Sequence, residues 1–301
     1  MSLIKLTKYT YLLRGSPITL IKILGYKAYV VDPGSSNNRG LELRGLLSNK
    51  FSVSKVITLI THHHSDHIYA LTTLKPDETY VPYGEELLIT NKAFRAFLDY
   101  SLDLTSIDVI LSNYVAPDIS LDNVVTVEPG DEVNGFKVID LKGHTYGHVG
   151  YSIDDEVLYV GDALFGDKLL ERVKVPYLND FREFIDTLGR IKELVTITNY
   201  KYVVLSHGPL INRLDDLIKL IDVNLKYLIN VKESVISVLR EFRSLEQLTS
   251  LIITKLGIDE SLISYLLTYT TLRAILNDLI RDGKVVAGIS NGQLLFKVKE
   301  L

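Results

Sequence analysis

The chain has no cysteine, no tryptophan and a single methionine. Without cysteine, disulfides, thiolate metal ligands, iron–sulfur clusters and cysteine nucleophiles are all excluded, so any metal must be held by histidine and carboxylate. An excess of either charge is missing too. Lys plus Arg is 33 against 37 Asp plus Glu, a net charge of -4, which removes the simplest argument for a nucleic-acid partner. No apolar run approaches the roughly 20 residues that span a bilayer, and the N-terminal stretch is interrupted by Lys5, Thr7 and Lys8. A cytoplasmic location without a membrane partner is therefore expected. The 301 residues, 47% of them hydrophobic, suffice for one large domain plus a small one.

What is present is histidine in an unusual place. Four of the seven histidines fall in the run His62-His63-His64-Ser65-Asp66-His67, which contains the spacing His62-x-His64-x-Asp66-His67. Imidazole and carboxylate are both strong metal ligands, and so many on one short turn point to a cation between them. The run follows the apolar residues 56–60, read as a buried strand, so the cluster is presented at a strand end. His144 and His148 lie just after the strand predicted over 136–141, Asp162 follows the strand over 157–160, and His207 follows the strand over 202–205. A lone histidine at such a junction is usually a hydrogen-bonded structural residue. Here every histidine of the chain sits at one, beside a cluster that needs partners.

The rest of the pattern is ordinary. Residues 18–24 and 28–31 form a hairpin ending at Asp32-Pro33-Gly34, and 124–127 form a further strand. Residues 84–115 carry helical spacing with Phe94, Phe97, Tyr100 and Tyr114, read as core-facing aromatics, with a substrate wall as the alternative. An amphipathic helix is predicted over 179–195 and one or two more over 210–242. Ser244-Leu245-Glu246-Gln247 is a capping box opening a helix to Leu256. A helix over 269–281 and strands over 284–289 and 293–298, joined across Asn291-Gly292, complete a winged-helix-like pattern. The expected divisions are 1–209, 210–243 as connecting helices, and 244–301.

These motifs in this order, with Asp32 in its Val-Val-Asp-Pro-Gly segment as the first, resemble the five motifs of the metallo-β-lactamase fold superfamily over about residues 8–209. The resemblance implies an α/β protein built as an αββα four-layer sandwich with a dinuclear metal centre at one edge. Carried over, His62, His64 and His144 hold one ion, Asp66, His67 and His207 hold the second, and Asp162 bridges. Two divalent ions are implied, zinc first, with iron or manganese as alternatives. A hydroxide shared between them is the implied nucleophile, with Asp66 and His67 beside the chemistry. Asp32 is read as a buried carboxylate that accepts hydrogen bonds from the histidine loop, and His148 as stabilising its own loop. His63 is assigned to the surface or to a place behind the ligands.

The fold hosts many reactions. Glyoxalase II-type thioesterases carry basic residues in a helical C-terminal region, which have no match here, and quorum-quenching lactonases place a tyrosine where this chain has Phe165. True β-lactamases lack the Asp66-His67 pair. The C-terminal pattern looks like that of the β-lactamase-like protein 2 group, some of which are endoribonucleases. Yet residues 244–301 hold six basic and six acidic groups, which cancel, whereas a domain that grips phosphates should be clearly positive. The expectation is a dinuclear-metal hydrolase of a small-molecule ester, thioester or lactone, with the winged-helix-like part serving in packing or as the contact of a homodimer. The alternatives are a nuclease acting on single strands and an iron-dependent oxygenase of sulfur compounds.

Overall fold

Alternation along the strands decides the layers, because successive side chains of a strand point to opposite faces. The computed structural model describes residues 2–100 and 115–299. Strands β1 (Leu3–Lys5), β2 (Thr10–Leu13), β3 (Thr19–Leu24), β4 (Lys27–Val31), β5 (Lys55–Leu59), β6 (Glu78–Pro82) and β7 (Val124–Val127) form one sheet in chain order. The first four are antiparallel, and β4 to β7 run parallel. Strands β8 (Glu132–Val133), β9 (Phe136–Asp140), β10 (Val149–Ile153), β11 (Val157–Gly161), β12 (Tyr202–Leu205) and β13 (Leu210–Ile211) form the second sheet, antiparallel except for β11 beside β12.

Tyr29 and Val31 of β4 point into the space between the sheets, where they meet Tyr151, Val157 and Tyr159. Ala28 and Val30 point the other way, under Leu43 and Leu47 of the helix Asn37–Phe51. On the second sheet Leu158 and Val160 face outward, beneath the helices Phe181–Ile197 and Leu214–Val238. The result is helix, sheet, sheet, helix. Each fully buried leucine in such a layer contributes about 2–3 kcal/mol of apolar transfer.

The segment after β6 departs from the sequence reading. The helices there are Glu86–Thr90 and Lys92–Tyr100, and Phe94 and Phe97 are exposed, at 51% and 69%, not core-facing. The buried face is Arg95, Ala96 and Asp99 instead. The reason is hydrogen bonding: the Arg95 guanidinium donates to the carbonyls of Leu88, Ile89, Ala116 and Pro117, satisfying buried backbone acceptors that no apolar side chain serves. Tyr100 is half-buried and stands on the wall of the cavity over the histidines, so for this residue the wall reading holds. Tyr114 lies outside the described residues.

The helix predicted from 210 begins at Leu214, because Leu210 and Ile211 pair with β12 as β13. At the C-terminal end the capping box is present, with the Ser244 hydroxyl accepting from Gln247 N–H and the Gln247 side chain accepting from Ser244 N–H, and it opens the helix Leu245–Leu256. The next helix runs over Leu262–Arg281, seven residues longer than its sequence pattern, since Ser261 caps it and Leu266 finds a pocket with Ala96 and Val115. Strands β14 (Val285–Ser290) and β15 (Gln293–Val298) form the hairpin. This part shares the core of the second outer layer: Leu272, Ile275, Leu276 and Leu279 pack in one cluster with Phe184, Leu188, Leu228 and Val231. Buried Asp278 ties it down, accepting from Arg182 Nε at 2.7 Å and Lys232 Nζ at 2.5 Å. Among the described residues no helix is long and apolar enough to cross a membrane.

Candidate metal centre

The loops that follow β4, β5, β9, β11 and β12 meet at one edge of the sandwich, where open α/β sheets present their ligands. The chain after β5 stays extended to His64, which caps the one-turn helix Ser65–Ile68 with φ −61 and ψ 141. That change of direction separates two pairs. His62 and His64 remain on the extended part, while Asp66 and His67 sit on the helical turn. Two glycines are required here. Gly161, at φ +58, lies where a Cβ would come within 2.7 Å of His148 Nε2, and Gly143, at φ +120, where one would come within 2.4 Å of the Phe184 backbone.

Two groups of metal-binding atoms share no residue, His62, His64, His144 and Asp162 in one and Asp66, His67 and His207 in the other, and a third, His63, His64 and Asp99, overlaps the first at His64; in each the atoms lie within 4.8 Å of one another. His62 Nε2 and His144 Nε2 stand 3.0 and 2.9 Å from His64 Nδ1. Asp162 lies between the groups: one oxygen is 3.4 Å from His144 Nε2, and the other is 3.6 Å from His67 Nε2. His207 Nε2 is 3.0 Å from the Asp66 carboxylate.

The far ring nitrogens are anchored. His67 Nδ1 donates to Asp32 at 2.8 Å, and His144 Nδ1 donates to the Tyr177 carbonyl at 2.9 Å. His62 Nδ1 meets the Thr61 hydroxyl, which itself donates to Asp32. His207 Nδ1 meets Ser16 Oγ at 3.0 Å. Such bonds leave the inward nitrogen as the free lone pair. His148 Nε2 accepts the Asp162 backbone N–H at 3.1 Å, so it holds the main chain of that carboxylate, and among the described residues it belongs to none of these groups.

A cation fits this arrangement. His67 Nε2 and Asp162 Oδ1 are buried and have no hydrogen-bond partner among the described residues, a costly state for two polar atoms that face one another too far apart to bond. Electrostatics divides the centre in the same way. Burial, reinforced by the neighbouring imidazoles, pushes His62 and His64 well below the usual histidine range, and burial lowers His144 despite Asp162. On the other side burial is outweighed: Asp66, Asp32 and Asp162 lift His67 well above its usual value, and Asp162 and Asp66 lift His207. Burial would raise Asp162, but His207 and His67 hold it well below the carboxylate range.

His63 is not at the surface. It is fully buried, and its assignment to a place behind the ligands is the part that the packing allows. Its ring is clamped between Glu85 on Nδ1 and Asp99, 3.0 Å from Nε2. Burial alone would lower its pKa, yet the two carboxylates raise it to about 10. Glu85 also accepts from the His63 N–H at 2.8 Å, the Thr145 hydroxyl at 2.7 Å and the Gly147 N–H at 2.9 Å, which joins the loops bearing His62 and His144. Asp99 accepts the Tyr177 hydroxyl at 3.0 Å and stands 4.0 Å from His64 Nε2. The motifs point to neither Glu85 nor Asp99, since neither has a local pattern around it.

An αββα sandwich with a histidine and carboxylate centre at its strand ends defines a class of metal-dependent hydrolases. Residues 13–208 match the model of the metallo-beta-lactamase superfamily, and the chain belongs to that superfamily. It is 30% identical over 185 residues to a probable metallo-hydrolase of Streptococcus pyogenes, covering 60% of this chain and 74% of that one. It is 33% identical over 146 residues to a hydroxyacylglutathione hydrolase of a Shewanella species, covering 46% of this chain but only 43% of that protein. Another, from Shewanella baltica, matches at 27% over 206 residues and 65% of each chain. In fold, a beta-lactamase domain protein of Burkholderia ambifaria superposes with a TM-score of 0.71 at 17% identity, over 99% of this chain and 94% of that one. A metallo-beta-lactamase family protein of Thermus thermophilus gives 0.68 at 17%, over 99% and 98%. The protein is thus a metal-dependent hydrolase.

Proposed function

We propose that the chain is a two-metal hydrolase of a small ester, thioester or lactone, with His62, His64 and His144 on one ion, Asp66, His67 and His207 on the other, and Asp162 shared. The observation that carries this reading is Asp162, whose two oxygens face histidines of different groups while one oxygen, and His67 Nε2 opposite it, lack any other partner among the described residues. When bound, a pair of divalent ions supplies the Lewis acidity that makes water a nucleophile near neutral pH and offsets charge on the reacting carbonyl oxygen. The residues do the rest. Asp32, Thr61, Ser16 and the Tyr177 carbonyl fix the orientation of the imidazoles, and His148 fixes the Asp162 main chain. Phe165 and the Tyr177 ring, with Ile263 and Leu267, give the cavity over the cluster a largely apolar wall that limits water. Zinc is the first candidate, and the donor set also suits iron and manganese.

Charge supports the small-molecule reading over the nuclease: the six basic and six acidic groups of residues 244–301 cancel. The division at 209 and 243 is retained as a functional one, with residues 244–301 as a packing module. The test is metal analysis of the purified protein, followed by assays of thioesters, lactones and single-stranded RNA with that metal restored. Two ions per chain and turnover of a thioester or lactone support the proposal. A single tightly held ion removes the shared role of Asp162 and favours the iron-dependent oxygenase.

A further inference from the structure

The cavity over the cluster has a volume of about 390 Å³, within the range of a small-ligand site. Its walls come from parts of the chain far apart in sequence: Tyr100, Phe165, Leu169, Val175, Ile263 and Leu267. Leu169, Arg172 and Val173 lie on one helix, Asp167–Val173, at a spacing that puts all three on one face. Arg172 is the only lysine or arginine among the described lining residues. It is exposed, it makes no hydrogen bond or ion pair within the described residues, and it shares its helix face with apolar Leu169 and Val173. The carboxylates among the lining residues, Asp66 and Asp162, stand beside histidines.

Resting on the hydrolase reading above, we infer that the substrate is an ester or thioester with an apolar body and an anionic group set away from the scissile bond. The apolar body lies against Leu169, Val175, Ile263 and Leu267, and Arg172 takes the anion, a carboxylate or a phosphate. A guanidinium with no partner among the described residues offers two parallel donors to such a group, while the aliphatic wall favours each additional methylene of the acyl chain. Hydrolysis adds the water oxygen to the acyl carbon, breaks the acyl–sulfur or acyl–oxygen bond and delivers a proton to the departing thiolate or alkoxide. The helix Leu262–Arg281 then selects substrate through Ile263 and Leu267.

The experiment is a kcat/KM series on the metal-loaded full chain. Acetyl, butyryl, hexanoyl and octanoyl thioesters of one neutral thiol test the apolar wall. Two matched pairs test the anion: hexanoyl against adipoyl on the same thiol, and hexanoyl on a neutral thiol against hexanoyl on 3-mercaptopropionate. Values should rise from acetyl to hexanoyl, and one member of at least one pair should be preferred in its anionic form. The pair that discriminates identifies the end of the substrate that Arg172 reads. Arg172→Gln should reduce that anionic preference by about tenfold or more, and Leu267→Ala should flatten the chain-length series. Unchanged metal content in each variant shows that it has folded. A flat chain-length series, or an anionic preference equal in wild type and Arg172→Gln, overturns the inference while leaving the hydrolase standing. Turnover of no ester, thioester or lactone at full metal loading overturns the proposed function on which the inference rests.

Discussion

The Thr270 hydroxyl donates to the Asp99 carbonyl at 2.8 Å, across 171 residues of chain. The bond fastens the C-terminal helix to the short helix whose Asp99 side chain touches His63 and Tyr177 and stands beside His64. Asp99 is a positioning residue on this geometry. Asp99→Asn keeps the shape but removes the charge, and it should lower metal affinity or kcat by about ten- to a hundredfold. Thr270→Val should have a smaller effect in the same direction. Metal titration together with kcat and KM checks this: a purely structural role would lower stability but leave kcat at saturating metal unchanged.

Glu85 provides a pH dependence. Burial would raise its carboxyl, but charge on His63 and hydrogen bonds from His63 and Thr145 hold it below its ordinary value of 4.5. A depressed carboxylate contributes stability that is complete above 4.5 and disappears as pH falls through the folded value. Glu85→Gln should therefore cost about 3 kcal/mol near neutral pH, where the buried His63 loses a partner. The gap between wild type and variant should narrow on acidification below that value. Urea unfolding of both metal-free proteins across this range measures it; a gap that stays constant to low pH would rule out an ionised Glu85 as the source.

Metal dependence separates ligands from bystanders. Chelation should abolish turnover, and divalent ions should restore it. Asp162→Ala should reduce both metal occupancies together, whereas His207→Ala should mainly empty one. Ser65, the only hydroxyl within the histidine run, accepts the Ala116 N–H at 2.8 Å. Ser65→Ala should reduce activity by less than about tenfold, in line with losing one hydrogen bond. A loss as deep as that of His64→Ala would indicate a serine nucleophile.

The C-terminal part should respond to its buried face and not to its surface charge. Leu279→Ala should destabilise the protein by about 2–5 kcal/mol in denaturant unfolding, since Leu279 is fully buried in the shared outer core. Joint replacement of Lys284, Lys297 and Lys299 by Ser should change stability by about 1 kcal/mol or less. Salt-sensitive RNA binding by the wild type, lost in that triple variant, would instead bring the nuclease forward.

How much could be read in advance follows from where the information is stored. Most strands, the capping box at Ser244 and the hairpin at Asn291-Gly292 depend on period and on residues a few positions apart, so the linear pattern carries them. The ordered histidine motifs are similarly short, and they mark the loops that meet at one edge of the sandwich. The inverted helix at Phe94 and Phe97, the early start at Leu262, and the pairing of His63 with Glu85 and Asp99 are different in kind. Each depends on what a side chain meets after folding: carbonyls needing Arg95, a pocket for Leu266, and two carboxylates 22 and 36 residues from His63. Period shows which face of an element is apolar, but buried charge is tolerated only where distant partners satisfy it. The partners are therefore a property of the packed molecule, as is the cavity that Arg172, Ile263 and Leu267 share with the histidines.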